Sequence, residues 1–122
     1  MRFLINALLA LLALIIGGCL IIGVYSIVVE YVNITAIKEN VRKWLRNREN
    51  VEALKDIGYT VNDNGQVFKN ALAQEVKVSI TNIGNNQVSM ALFIDEQKIK
   101  KMEVTGKKGV ASDIKEQMTI LI

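Results

Sequence analysis

The chain contains no histidine and no proline, and its only cysteine is Cys19. No disulfide can close within it, so cysteine usage leaves the redox compartment open. Without histidine, and with its single thiol inside an apolar run, the chain lacks most zinc sites and most nucleophile–base pairs. Carboxylate-only chemistry is left, and no spacing supports it. Charge of one sign is scarce too: 15 Lys and Arg stand against 12 Asp and Glu, for a net charge of +3 and a pI near 9.1. Much of that excess lies between Lys38 and Arg48. A nucleic-acid binder carries a broader basic surface with aromatic or motif support, and neither is visible. The expectation is a protein that is not an enzyme, with no cofactor, no metal, no nucleic acid and no small-molecule substrate.

What the chain does have is an apolar run from Phe3 to Val29 with no charge, in which Asn6 and Ser26 are the most polar members. As a helix it would be about 40 Å long, against a hydrocarbon core of roughly 30 Å. The run therefore predicts a transmembrane anchor over residues 1–30. A cleaved signal peptide fits less well, because no polar segment follows the apolar core. Ile16-Gly17-Gly18-Cys19 loosely resembles a lipoprotein cleavage box, which would make Cys19 a lipidated N-terminus, but Leu20 to Val24 continue the hydrophobic run. Gly17, Gly18 and Gly23 are candidate positions for close packing of a neighbouring helix; incidental small residues are the plainer reading.

After Val29 the pattern turns amphipathic. Ile34, Ile37, Val41, Trp44, Leu45, Val51 and Leu54 recur at helical spacing. No Pro or Gly interrupts Glu30 to Asp56, and Ile57-Gly58 supplies a stop with Gly58 at C′. The reading is an amphipathic helix over 31–57, continuous with the membrane helix from Phe3 to Ile57; the alternative is a break near Asn33 to Thr35, with Asn33 or Thr35 capping a second helix. Lys38, Arg42, Lys43, Arg46 and Arg48 fall on its outer face. They are candidates for contact with anionic lipid or a partner, or simply a solvated surface.

Residues 58–122 read as an antiparallel β domain. Asn64-Gly65 is a hairpin signal. Val76, Val78 and Ile80, then Val88, Met90, Leu92 and Ile94, alternate with polar or small residues. Ile99 to Thr105 is a charged strand whose alternation slips, as an edge strand or a bulge would make it. Gly106-Lys107-Lys108-Gly109 reads as a turn, and Met118 to Ile122 as a last strand. The expected fold is α+β: a single N-terminal transmembrane helix continuing into an amphipathic helix, then a small antiparallel sheet packed on it. The expected core comprises Val41, Trp44 or Leu45, Leu54, Val78, Ile80, Met90 and Leu92.

A membrane-embedded helix that turns amphipathic and feeds an antiparallel sheet resembles the type IV pilins. Ala53 to Gly58, Asn64 to Val67, Glu75 to Ile80 and Val104 to Val110 are similar to strand and turn patterns of the TadE-like pseudopilins of tight-adherence pili. The Gly23–Glu30 spacing does not match the pilin leader, so no processing site is carried over. The resemblance implies a non-catalytic, bacterial cell-envelope subunit of a pilus, secretion or conjugation apparatus. Such a subunit would meet membrane lipid and associate with itself or with similar anchored subunits. Met1-Arg2 ahead of the apolar run favours export of the C-terminal domain, whereas the basic flank after it favours the cytosol; export is the preferred reading. Alternatives are a membrane-tethered scaffold with a cytosolic β domain that binds a protein, or a phage-coded envelope modifier.

Overall fold

A computed structural model describes residues 19–122. Its first element is a strand, β1 (Val24–Val32), followed by helices α1 (Ile34–Arg46) and α2 (Arg48–Asp56). Three short strands follow, β2 (Thr60–Val61), β3 (Val67–Lys69) and β4 (Leu72–Ala73), and then four longer ones: β5 (Val76–Gly84), β6 (Gln87–Ile94), β7 (Gln97–Val110) and β8 (Gln117–Leu121).

This corrects the expected fold. Residues 24–32 extend rather than coil, because seven of the nine residues in β1 are β-branched or aromatic and pack well on a pleated surface. Gly23, at φ +97°, bends the backbone just before them. Among the described residues no helix is long and apolar enough to cross a membrane. The single-pass placement, and the export of the C-terminal domain read from its flanking charges, therefore have no described helix to rest on. The earlier part of the run, Phe3 to Gly18, lies outside the described residues.

The expected single helix over 31–57 is also divided. Asn33 caps α1, its side chain accepting from the Ala36 amide at 2.7 Å, so the break near Asn33 is the arrangement observed. A second break falls at Asn47, which is extended (φ −65°, ψ 134°) and serves both helices. Its amide donates to the Trp44 carbonyl at 3.2 Å, and its side chain accepts from the Glu49 amide at 3.0 Å. The stop at Gly58 is as expected. The Tyr59 amide donates to Leu54 and the Gly58 amide to Lys55, with Gly58 at φ +97°, which closes a Schellman motif around the buried Leu54 and Tyr59.

The main sheet has the order β1-β7-β6-β5-β8 and is antiparallel except for β1, which runs parallel to β7. β2, β3 and β4 form a separate small sheet. The Asn62–Gly65 turn joins β2 to β3, with the Asn62 side chain accepting from the Asn64 and Gln66 amides. Asn85 and Asn86, both at positive φ, join β5 to β6 in the manner of a type I′ hairpin.

β7 departs most from expectation. It is an interior strand between β1 and β6, and it runs through Gly106 and Gly109 rather than turning there. Its slipped alternation marks irregular register: Leu92 faces Lys100 while Phe93 faces Lys98. A second irregularity lies opposite, in β1, between Val29 and Tyr31.

One face of the sheet is covered. Ile27, Val78, Ile80, Val88, Met90, Leu92, Met102 and Val104 meet Ile37, Val41, Trp44, Leu45 and Leu54 from the helices in a single core. Every residue of the expected core is buried there, including both Trp44 and Leu45. The other face is lined by residues alternating with these, among them Ser79, Thr81, Ser89, Ala91, Lys101, Glu103 and Thr105, all exposed or half-buried.

Candidate protein-interaction edge

β1 is paired on one side only. Its register with β7 runs from Val24 opposite Lys101 to Val32 opposite Val110, and among the described residues no strand lies beyond it. Residues ahead of it are tied to the start of β7: the Leu20 amide donates to Lys98 at 3.0 Å and the Ile21 amide to Ile99 at 2.9 Å. The Lys100 ammonium donates to the Ile22 carbonyl at 2.8 Å. The edge is thus held firmly from the inside while its outer backbone faces no described strand.

Its side chains are apolar and out in the open. Val24 is 50% exposed, Val28 60% and Tyr31 51%, with Ile22 and Tyr25 exposed beside them. The one charge on the strand is Glu30, and it already lies 3.9 Å from Lys107 and 3.6 Å from Lys108. On the helix side, Tyr25, Lys43, Trp44, Asn47, Glu49 and Lys100 line an open recess of about 290 Å³ at the head of β1. The strand behind is basic: β7 carries Lys98, Lys100, Lys101, Lys107 and Lys108 against Glu103 alone.

No protein-family model, curated protein or solved structure matches this chain. The functional reading therefore rests on this geometry.

Gly17 and Gly18 lie outside the described residues. Gly23 is in no helix; it forms the bend before β1, where an added Cβ would come 3.5 Å from the Lys100 ammonium. Lys38 is half-buried, while Arg42, Lys43, Arg46 and Arg48 are exposed. None of the five has an ion-pair partner among the described residues. Arg42, Lys43 and Arg46 line one shallow surface together with Glu39 and Asn40; Arg46 also packs on the Gly65 turn, and Lys43 also reaches the recess beside Tyr25.

Sequence reasoning missed the edge itself. Its signal was present: from Val24 onward the apolar run becomes rich in Val, Ile and Tyr, the composition of a strand.

Proposed function

We propose that this domain is a non-catalytic assembly module that joins another protein chain by strand addition at the outer edge of β1. The observation that carries the reading is the edge itself: a nine-residue strand on which Val24, Tyr25, Val28 and Tyr31 are exposed and the single charge, Glu30, is drawn inward toward Lys107 and Lys108. Proteins usually blunt such edges with charges, prolines or short strands, because a free row of amides and carbonyls templates pairing. Strand addition uses that row for affinity and alternate side chains for specificity. The reading does not rest on the pseudopilin resemblance, whose continuous helix is replaced over Val24–Val32 by β1, and it needs no membrane span.

The test is a photo-crosslinking residue in place of Tyr31, in cells, with the same residue in place of Thr119 as a control. Discrete adducts at position 31, absent at 119 and lost when Val24→Lys and Val28→Lys are added, are the expected result. Equal labelling at both positions, or adducts that survive the two lysines, would refute the reading.

A further inference from the structure

We infer that the chain added at β1 is an extended acidic segment, with carboxylates alternating with small apolar residues, rather than a second copy of this protein. The inference rests on the strand-addition reading and names its occupant from charge. Neighbouring strands lie about 4.8 Å apart, so a strand added to β1 would run roughly 10 Å from β7. That is within reach of flexible lysine side chains and comparable to a Debye length of about 8 Å at physiological salt. Lys101, opposite Val24, flanks the added strand on the open face. On the helix face Lys43 and Lys100 line the recess against the single carboxylate of Glu49, and Lys43 has no ion-pair partner among the described residues. Because side chains alternate, such a segment sends all its carboxylates to one face and its apolar residues to the other: carboxylates on the open face meet Lys101, with Glu103 two residues on, and leave the apolar residues to Tyr25, whereas carboxylates on the helix face meet Lys43 and Lys100 and leave the apolar residues to Val24 and Val28.

A second copy fits less well on the same grounds. Its β1 would bring one carboxylate, Glu30, already held by Lys107 and Lys108. It would also bring a second lysine-rich β7 to roughly 14 Å from the first. None of the other described strands is acidic: β6 and β8 carry no charge and β5 only Lys77.

The experiment uses the full chain and a blocked peptide alternating Val with Glu, long enough to run along β1, with Gln-for-Glu and Lys-for-Glu counterparts. Binding is read from Trp44 fluorescence, since this single tryptophan walls the recess, and site from amide exchange over residues 24–30. The Glu peptide should protect those amides and bind about tenfold more tightly than the Gln peptide at low salt, as several screened ion pairs would give. The Lys peptide should bind more weakly than both. Lys43→Gln with Lys101→Gln should remove the Glu preference, and Lys43→Glu with Lys101→Glu should reverse it; unchanged thermal melts establish that all four substitutions leave the fold intact.

Equal binding of the Glu and Lys peptides would overturn the acidic occupant and leave strand addition standing. If no alternating peptide protects the β1 amides, strand addition falls, and this inference with it. Trp44 quenching without that protection would also overturn it, as surface attraction away from the edge. Protection of the outward-facing β1 amides, those not paired with β7, in the peptide-free chain would overturn it as well, and dilution then separates a second copy from residues 1–18 of the same chain.

Discussion

Gly106→Ala should cost about 3 kcal/mol of stability, and the reason is contact rather than conformation. Gly106 is buried in β7 opposite Val29 of β1. Its amide donates to the Asn86 carbonyl at 2.8 Å, which pins it to the β5–β6 turn. A Cβ there would collide with the carbonyl oxygen of Gly109 and lie 2.9 Å from the Cγ2 of Val32. Neither neighbour can yield cheaply: Gly109 is backbone paired with Tyr31, and Val32 is fully buried in the core. Overpacking of this kind costs typically 1–3 kcal/mol, and shifting β7 would weaken one or two ladder hydrogen bonds at about 1 kcal/mol each. For a domain of this size a 3 kcal/mol loss lowers the melting temperature by roughly 12–24 °C. Urea unfolding followed by Trp44 fluorescence gives the measurement, with a reduced midpoint and an unchanged slope as the expected form. Gly84→Ala is the control. Gly84 has open space around its Cβ position but φ of +84°, so alanine there pays only for a left-handed backbone, about 1–2 kcal/mol, and Gly84→Asn should recover part of it. If Gly106→Ala lies within about 0.5 kcal/mol of the parent, or costs no more than Gly84→Ala, the close approach of β7 to the β1 end is wrongly described.

Leu54→Asp should abolish cooperative unfolding, since Leu54 is fully buried at the end of α2 and the substitution places a carboxylate in the core; a native thermal melt for that variant would mean α2 is not packed as described. Tyr59 gives a pH signature. Burial, then the nearby Asp95 carboxylate, raise its pKa above the ordinary value of 10.0. The folded state therefore holds this proton more tightly than the unfolded state, so the associated stability is complete below pH 10 and is lost as the pH climbs through the folded value. Urea midpoints taken from pH 9 to 11 should fall more steeply for the parent than for Tyr59→Phe, and parallel curves would dismiss the effect.

Much of the sheet was legible because its signals are local. Val88, Met90, Leu92 and Ile94 alternate without a slip, Asn64-Gly65 marks its own turn, and Leu54-Lys55-Asp56-Ile57-Gly58 carries a helix stop. What failed was anything that depends on a distant partner. A run such as Val24 to Val29 satisfies a membrane helix and a strand equally on hydrophobicity; the difference is supplied by β7, about 75 residues later in the chain, which offers Lys101 to Val110 as its ladder. The Gly106–Gly109 segment reads as a turn in isolation and becomes strand only because β1 pairs along it. Asn47 was passed over because a single extended residue between two good helical stretches leaves the hydrophobic spacing nearly intact. The basic residues of α1 were read as one outer face, and Arg42, Lys43 and Arg46 do share a surface there, while Arg46 also packs on the Gly65 turn and Lys43 reaches the recess.

The two edges of the main sheet show why β1, rather than β8, is the place to look for a partner. β8 is five residues long, and its exposed positions are Gln117, Thr119 and, at its end, the apolar Leu121. Shortness is ordinary protection against pairing. β1 is nearly twice as long, with Val24, Val28 and Tyr31 exposed along it. A charge that might have guarded it, Glu30, is drawn to Lys107 and Lys108 instead. Those two lysines sit between the glycines whose small size lets β7 follow β1 to its end, so one stretch of β7 both fixes the edge strand and removes its guard. An arrangement that costs the chain an unprotected edge and a sterically tight glycine is coherent if the edge is meant to be occupied. This couples the two lines of evidence: a variant that loosens Gly106 should weaken capture of the added segment along with the fold, whereas Lys43→Gln with Lys101→Gln should weaken capture alone.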